Sequence, residues 1–262
     1  MLIDSHCHLD FPELTTDESG VLARARTAGV AGMLTIGTRL DQFERVRAIA
    51  ERHDNVWCSV GVHPHEAKEE GQRTPDRLIA ATHHPKVVGI GETGLDFYYE
   101  HSPRDEQAES FRAHIAASRQ TGLPLIVHTR NADAETCDIL EEEQGKGAFP
   151  GLIHCFSSGR AVAERALALG LYISISGIVT FKAAEELRAI VRGVPLDRLL
   201  VETDAPYLAP IPKRGKTNEP AFVAHTAAKV AELKNVSLAE LEAATTDNFF
   251  RLFTKAERSR CA

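Results

Sequence analysis

Disulfide pairs, membrane spans and a surplus of basic residues are all missing from this 262-residue sequence. Its five cysteines are odd in number and include no C-x-x-C pair, which favours a reducing compartment and predicts a cytoplasmic protein. No apolar run is long enough to cross a bilayer, and the N-terminus has neither the basic nor the apolar region of a secretory signal. We therefore expect no membrane association.

Basic residues are fewer than acidic ones, 30 against 37, and the formal net charge is −7. Proteins that coat nucleic acid non-specifically make many Lys and Arg contacts to phosphate, so this charge argues against that class. It does not exclude an enzyme that takes a nucleotide end at a small site neutralised by metal. The hydrophobic fraction of 43% is ordinary for a globular chain with a sizeable core.

A G-x-G-x-x-G turn is absent after the first apolar run, which argues against a doubly wound dinucleotide-binding sheet. Eight short apolar runs recur instead, each followed by a segment with helical spacing. The runs lie at residues 2–8, 33–36, 56–60, 87–92, 125–128, 151–154, 171–176 and 199–204. Continuous apolar runs are typical of buried parallel strands, so this order predicts an α/β fold, a (β/α)8 TIM barrel. We expect one domain over residues 1–253 and a polar C-terminal tail over 254–262.

Side chains that bind metals are concentrated at the ends of these runs. His6 and His8 are two residues apart, so a strand directs both to the same side. Further strand ends carry His63, His65, Glu92, His128, His154, Glu202 and Asp204. A barrel gathers these ends at its C-terminal face, where enzymes of this fold place their chemistry. The pattern predicts a metal centre made by His6, His8, Glu92, His128, His154 and Asp204.

The predicted ligands offer only nitrogen and oxygen atoms, which suits Mg, Mn, Zn, Ni or Co. Six ligands exceed the usual protein-supplied set for one ion, and a carboxylate such as Glu92 can bridge two, so we expect two divalent ions. Such pairs lie about 3.5–4 Å apart and act in phosphoryl displacement. Glu202 is expected to be an ion-pair partner behind the ligands. Alternation turns Cys7 and Cys155 toward the helices, and the six remaining histidines are expected to face solvent.

Six motifs along nearly the whole chain resemble those of the TatD-type metal-dependent deoxyribonucleases of the amidohydrolase superfamily. They are DSHCH at 4–8, GVHPH at 61–65, GETGLD at 91–96, VHTR at 127–130, HCFS at 154–157 and ETDAPYL at 202–208. The resemblance implies a TIM barrel that hydrolyses DNA phosphodiester bonds, often from the 3′ end of single strands. It also implies that His6, His8, Glu92 and Asp204 hold one metal, whereas Glu92, His128 and His154 hold the other.

The expected catalytic residues are Glu92 and Asp204, with Asp204 accepting the proton of the attacking water while it also binds metal. His63 and His65 are predicted to donate hydrogen bonds to the substrate phosphate. The alternative for these two histidines is a polar turn around Pro64.

Basic and aromatic residues near the same strand ends are candidates for substrate binding. Arg130 and the basic loop 213–216, which includes Lys216, are predicted to bind the nucleic-acid backbone. For Lys213 alone, a solvated basic loop is the other interpretation. Tyr98 and Tyr99 are candidates for base stacking, or for packing against their own loop.

A hydrolase of C–N or C–O bonds, acting on a lactone, amide or aminoacyl ester, is the second hypothesis, because it uses the same metal clamp on the same fold. Glu92 favours the nuclease, since related binuclear amidohydrolases often bridge their metals with a modified lysine on the fourth strand. The basic loop after Asp204 also suits an anionic substrate. A non-catalytic binding scaffold predicts a missing ligand, and none is missing. We expect a monomer that takes single-stranded DNA or its 3′ ends as substrate.

Overall fold

Strands and helices alternate along the computed structural model, which describes residues 1–69 and 75–261. The strands are β1 (Leu2–Cys7), β2 (Val30–Thr35), β3 (Val56–Val60), β4 (Val87–Asp96), β5 (Leu125–Arg130), β6 (Gly151–Ile153), β7 (Tyr172–Ile175) and β8 (Leu199–Val201). Each pairs in parallel with the next, from β1–β2 to β7–β8. A single parallel bridge between Cys7 and Ala205 spans the remaining seam between β1 and β8. The predicted (β/α)8 barrel is confirmed.

Helices follow the strands, as the helical spacing after the apolar runs predicts. They are α1 (Pro12–Thr15), α2 (Glu18–Thr27), α3 (Phe43–Arg52), α4 (Pro75–Thr82), α5 (Arg104–Thr121), α6 (Asp133–Gly145), α7 (Arg160–Ala168), α8 (Glu185–Gly193), α9 (Val223–Lys234) and α10 (Leu238–Leu252). The short α1 was not expected, because four residues are too few to show helical periodicity. Ser237 caps α10, accepting a hydrogen bond of 3.1 Å from the backbone N–H of Glu240.

The barrel interior is filled near the N-terminal ends of the strands and closed from below by α10. Ile3, Val88 and Ile126, each the second residue of its strand, join one buried cluster with Phe249 and Phe253 of that helix. Because this end is packed with apolar side chains, it holds the strands together, while the opposite, C-terminal ends are left for polar groups.

The segment after α10 continues along the bottom of the barrel. Lys255 Nζ donates hydrogen bonds to the carbonyl oxygens of Thr82 and His84, at 2.5 and 2.7 Å, near the C-terminal end of α4. Residue 262, the last of the predicted tail, lies outside the described residues.

All five cysteines lie in the described part of the chain and are free thiols. Burial raises the pKa of Cys58 to about 12, so this thiol is protonated and unreactive at neutral pH. Across residues 1–69 and 75–261, no helix combines the length and the apolar character that a membrane crossing requires.

Candidate metal centre

Glu92 lies at the centre of the C-terminal face, almost fully buried on β4. Its two carboxylate oxygens face different histidines. Oε2 lies 3.4 Å from Nε2 of His6 and 4.0 Å from Nε2 of His8. Oε1 lies 2.8 Å from Nε2 of His154 and 2.9 Å from Nδ1 of His128. The carboxylate therefore stands between two groups of nitrogen donors.

Asp204 completes the first group from the seam of the barrel. Its Oδ1 lies 3.4 Å from Nε2 of His8 and 3.6 Å from Nε2 of His6. Backbone hydrogen bonds fix this placement, because Asp204 N donates to His6 O at 2.9 Å and His8 N donates to Ala205 O at 2.8 Å. The structure thus brings all six predicted ligand side chains together, and their role as ligands stays a prediction.

Two features of these residues, their unpaired buried nitrogen atoms and the distances between their donor atoms, fit divalent cations. Nδ1 and Nε2 of His6 and Nδ1 of His8 are buried without a hydrogen-bond partner among the described residues, a costly arrangement unless something else binds them. Tetrahedral ligands at about 2.1 Å from an ion lie about 3.4 Å from one another. The separations of 3.4 and 3.6 Å between His8, His6 and Asp204 match that spacing.

The electrostatics of the centre favour positive charge. Burial alone would raise the pKa of Glu92, but the neighbouring His154 and His63 hold that pKa well below its usual value. Burial alone would lower the pKa of His154, but Glu92 and Glu202 raise it well above the usual histidine value. A cavity wall that stabilises an ionised carboxylate and a protonated imidazole also stabilises a metal cation in the same place.

A second carboxylate orients His154, as the sequence predicted for Glu202. Oε1 of this fully buried residue lies 3.2 Å from Nδ1 of His154 and accepts the backbone N–H of Cys155 at 2.7 Å. This contact holds a proton on Nδ1 of His154, so a cation that displaced the proton on Nε2 would meet the Nε2 lone pair directed at the centre.

Asp96 orients His128 in the same way, a contact that was not predicted from the sequence. Its Oδ2 lies 3.2 Å from Nε2 of His128 and 3.0 Å from Nε2 of His65. The signal was present, because Asp96 is the last residue of the motif that begins at Gly91. The predicted fourth strand ended at Glu92, however, whereas β4 continues to Asp96 and brings this carboxylate to the site.

His63 also lies beside Glu92, with its Nε2 3.4 Å from Oε1, the oxygen that faces His128 and His154. Its Nδ1 accepts the backbone N–H of His65 at 3.2 Å, which leaves the proton of a neutral ring on Nε2. Burial lowers the pKa of His63 to about 4, so the ring is neutral at pH 7. The turn around Pro64 is a 3₁₀ turn, Pro64–Glu66, and it presents His63 as a hydrogen-bond donor.

Two glycines allow this turn to approach β4. A Cβ atom at Gly61 would lie 2.5 Å from Cα and 2.4 Å from the carbonyl carbon of Gly91. Such contacts are too short for any side chain, so only glycine at 61 lets the His63 turn reach Glu92.

A cavity of about 780 Å³ opens above the centre, and the predicted substrate contacts differ in their relation to it. His63, His65 and Arg130 line it. The guanidinium of Arg130 lies 4.1 Å from the ring centre of Tyr98. Lys216 is exposed on the loop after β8 and is not among the described residues that line the cavity.

Two expectations about side-chain direction were wrong. Cys155 lines the cavity instead of packing against helices, because β6 ends at Ile153 and strand alternation no longer applies there. Cys7 does pack into the apolar cluster shared with the helices. His114 is buried, not solvent-facing, since its α5 position places Nε2 where it accepts the backbone N–H of Val62 at 2.9 Å.

A (β/α)8 barrel with a cluster of histidines and carboxylates at its C-terminal face is typical of metal-dependent hydrolases. The model of the family described as TatD related DNase matches residues 3–254, and the chain belongs to this TatD family.

Named relatives resemble the chain over almost their whole length. It is 48% identical over 255 residues to the uncharacterized metal-dependent hydrolase YcfH of Escherichia coli (strain K12), covering 96% of this chain and 95% of that protein. It is 37% identical over 261 residues to the 3′-5′ ssDNA/RNA exonuclease TatD of Cronobacter sakazakii, covering 97% and 98%. The crystal structure of YJJV, a TatD homolog from Escherichia coli k12, superposes with a TM-score of 0.90 at 30% identity and covers 97% and 98% of the two chains.

Proposed function

We propose that this metal-dependent hydrolase is a nuclease that cleaves DNA phosphodiester bonds by a two-metal mechanism, from the 3′ ends of single strands. One observation carries the proposal. The two oxygens of Glu92 face separate donor groups, with His6, His8 and Asp204 on one side and His128 and His154 on the other. A bridging carboxylate of this kind is what a pair of ions requires.

The residues on each side have distinct tasks in the proposed reaction. Divalent ions bound there, whether Mg, Mn, Zn, Ni or Co, would promote ionisation of water and stabilise charge on the phosphate. Burial alone raises the pKa of Asp204, but the hydrogen bond to His8 and the nearby His6 and His154 lower it below its usual value. Asp204 is therefore ionised at pH 7, lines the cavity, and is the proposed acceptor of the water proton.

The cavity also supplies groups that bind an anionic substrate. The Nε2–H of His63 is the proposed donor to a non-bridging phosphate oxygen, and Arg130 the proposed contact to the next phosphate along the strand. His65 is engaged with Asp96, so its proposed role is to hold that carboxylate and to line the cavity. Lys216 would contact the strand only beyond the cavity. The relative named as a 3′-5′ ssDNA/RNA exonuclease supports this substrate class and polarity.

One chain supplies all six proposed ligands, so the site is complete without a second copy and we propose that the protein acts as a monomer. Its free, mostly buried thiols fit the reducing cytoplasm in which we place this activity.

The decisive experiment uses metal-free protein resupplied with each cation in turn. The substrates are the same oligodeoxynucleotide labelled at its 5′ or its 3′ end. Cleavage from the 3′ end predicts a descending ladder from the 5′-labelled strand and immediate release of a labelled mononucleotide from the 3′-labelled strand. Activity should require added metal and disappear in Glu92→Ala.

Glu164→Ala is the matched control, because Glu164 is an exposed glutamate on the outer helix α7. This variant should cleave as the wild type does. Failure of the metal-loaded wild type to cleave DNA or RNA, together with turnover of lactone, amide or aminoacyl-ester substrates, would replace the nuclease with the second hypothesis.

A further inference from the structure

Aromatic rings surround the cavity mouth at two places on opposite sides of the barrel. Phe11 and Tyr207, which we call the Phe11 platform, follow β1 and β8. Tyr99 and His101, which we call the Tyr99 platform, follow β4 and line the cavity. In a barrel whose strands run in order from β1 to β8, β4 lies across from β8. The metal centre therefore lies between the two platforms.

The Phe11 platform is in direct ring contact with the metal centre. The ring of Phe11 stacks on His8, with ring centres 4.7 Å apart and planes 26° apart. Tyr207 stands edge-on to Phe11, with ring centres 6.1 Å apart, and is 53% exposed. Both rings line the cavity, so each presents an apolar surface beside the reacting groups.

The Tyr99 platform has the same relation to the other side of the centre. The rings of Tyr99 and His101 stack 7° from parallel, with centres 5.5 Å apart, and His65 lies edge-on to both. Arg130 lies over the ring of Tyr99 at 4.8 Å. The stacked rings of Tyr99 and His101 offer flat surfaces for a base, and the guanidinium close to them is suited to the phosphate of that base.

We propose that each platform stacks one unpaired nucleobase, so that the phosphodiester bond between these two bases lies across the metal centre. The inference rests on the proposed function and adds its substrate requirement. The smallest good substrate is a dinucleotide with both bases present. Every base has a π-face, so the platforms select unpaired bases and not a particular sequence. A base paired within a duplex is already stacked on its neighbours and is not available to either ring.

The test combines the removal of a ring from the protein with the removal of a base from the substrate. Three versions of one oligodeoxynucleotide are used: all bases present, an abasic tetrahydrofuran residue at the 3′ end, and the same residue at the penultimate position. Tyr207→Ala should lower kcat/KM about 5- to 150-fold on the strand with all bases, the range for loss of one base–aromatic stack. It should have no effect on the strand that lacks the base stacked by the Phe11 platform. Tyr99→Ala should behave likewise for the other abasic position.

Two further variants identify the ring as the cause. Tyr207→Phe keeps the ring and should remain within about twofold of the wild type, since only the hydroxyl is lost. Leu238→Ala removes an exposed apolar side chain at the start of α10 and should leave all three substrates unaffected. A loss in Tyr207→Ala that is equal on all three strands would overturn the proposal, because it would not depend on a base.

A binding measurement separates this inference from the nuclease itself. Metal-free protein is titrated with strands carrying 2-aminopurine at either of the two 3′ positions, whose fluorescence falls when the base stacks. Quenching that is lost in Tyr207→Ala at one position and in Tyr99→Ala at the other supports the platforms even without cleavage. Cleavage by the wild type without any such quenching overturns the platforms and leaves the nuclease intact. If the wild type shows no cleavage and no quenching, both the nuclease and the stacking platforms are overturned.

Discussion

Oδ2 of Asp96 lies 3.2 Å from Nε2 of His128. The other oxygen, Oδ1, accepts the backbone N–H groups of Tyr98 and Tyr99, each at 3.0 Å. One carboxylate therefore orients a proposed metal ligand and anchors the loop that carries the Tyr99 platform. The contacts of His128 and His65 hold the pKa of Asp96 far below its usual value against the opposing effect of burial, so the group is charged at all working pH values.

Asp96→Asn should lower the affinity for divalent metal by about 10- to 100-fold, the usual cost of losing a carboxylate behind a metal-binding histidine. The asparagine oxygen still accepts the two backbone N–H groups, so the loop keeps its anchor and the change isolates the charge. Competition with a fluorescent metal indicator measures the affinity. Asp197→Asn is the control, because Asp197 is exposed before β8 at the other end of the barrel. Equal affinities in both variants would mean that Asp96 does not act on His128.

Metal should stabilise the folded chain, because its proposed ligands are assembled only in the native state. At a concentration 100 times the Kd, binding contributes about 2.7 kcal/mol, which raises the Tm of a chain of this size by about 5–10 °C. Calorimetry with and without a chelator measures the shift. In Glu92→Gln the shift should largely disappear, while Glu164→Gln should keep it. Identical melting of chelated and metal-loaded wild type would contradict a metal centre in this cluster.

Glu143 on α6 should make the stability depend on pH through its contacts with three basic side chains, two of them on α5. Arg112 and Lys146 donate to its Oε1 at 2.9 and 2.8 Å, and Arg119 donates to Oε2 at 3.0 Å. Burial alone raises the pKa of Glu143, but these three cations lower it below 4.5. A lowered folded-state pKa means that the contribution is complete above the unfolded value and is lost as the pH falls through the folded pKa.

Glu143→Gln should therefore reduce the free energy of unfolding by about 1–3 kcal/mol at pH 7. The difference from wild type should narrow steadily below pH 4.5, as measured by urea unfolding at a series of pH values. Glu142→Gln is the control. Although Lys146 and Arg112 lower the pKa of Glu142 to about 2, this side chain is exposed and solvent screens its ion pairs, so the loss of stability in Glu142→Gln should be smaller. If the free energies of unfolding of the wild type and Glu143→Gln differ by the same amount down to pH 3, Glu143 acts by packing alone.

Lys234 should stabilise the end of α8 without affecting the chemistry. Its Nζ donates to the carbonyl oxygens of Arg192 and Val194 at 2.9 and 2.7 Å, groups that the helix end leaves unpaired. Lys234→Met should cost about 1–3 kcal/mol in the free energy of unfolding and leave DNA cleavage at the wild-type rate. Lys229→Met, on the same helix, removes an ion pair with Glu232 and should cost less than about 1 kcal/mol. Reduced cleavage by correctly folded Lys234→Met would contradict this purely structural role.

The barrel and the six clustered side chains were predictable because both follow from local periodicity. Apolar runs such as the one before Glu92 indicate buried parallel strands, and a barrel then gathers their ends. Asp96 was not predictable in this way, since it depends on how far β4 continues beyond Glu92. Its pairing with His128 is a contact between β4 and β5, which sequence spacing does not specify.

Predictions of side-chain direction were wrong where regular structure ends or where a helix covers a loop. Cys155 lies two residues beyond the end of β6 and has a φ of 43°, so alternation could not give its direction. His114 is polar within an amphipathic helix, and only the position of the loop at Val62 shows what it contacts. The packing of Phe249 and Phe253 against the bottom of the barrel was equally hard to predict. Helical spacing identifies the apolar face of a helix but not the surface that this face covers.

The seam between β1 and β8 joins residues from the two ends of the sequence. Asp204 N bonds to His6 O there, and Thr203 donates its backbone N–H to Asp4 Oδ1 at 2.9 Å. Half of the proposed centre thus comes into being only when the last strand docks beside the first. During synthesis, a chain that has emerged only as far as β7 would carry His6 and His8 without Asp204. The activity should therefore appear late in biosynthesis and abruptly, and fragments that lack the eighth strand should be inert.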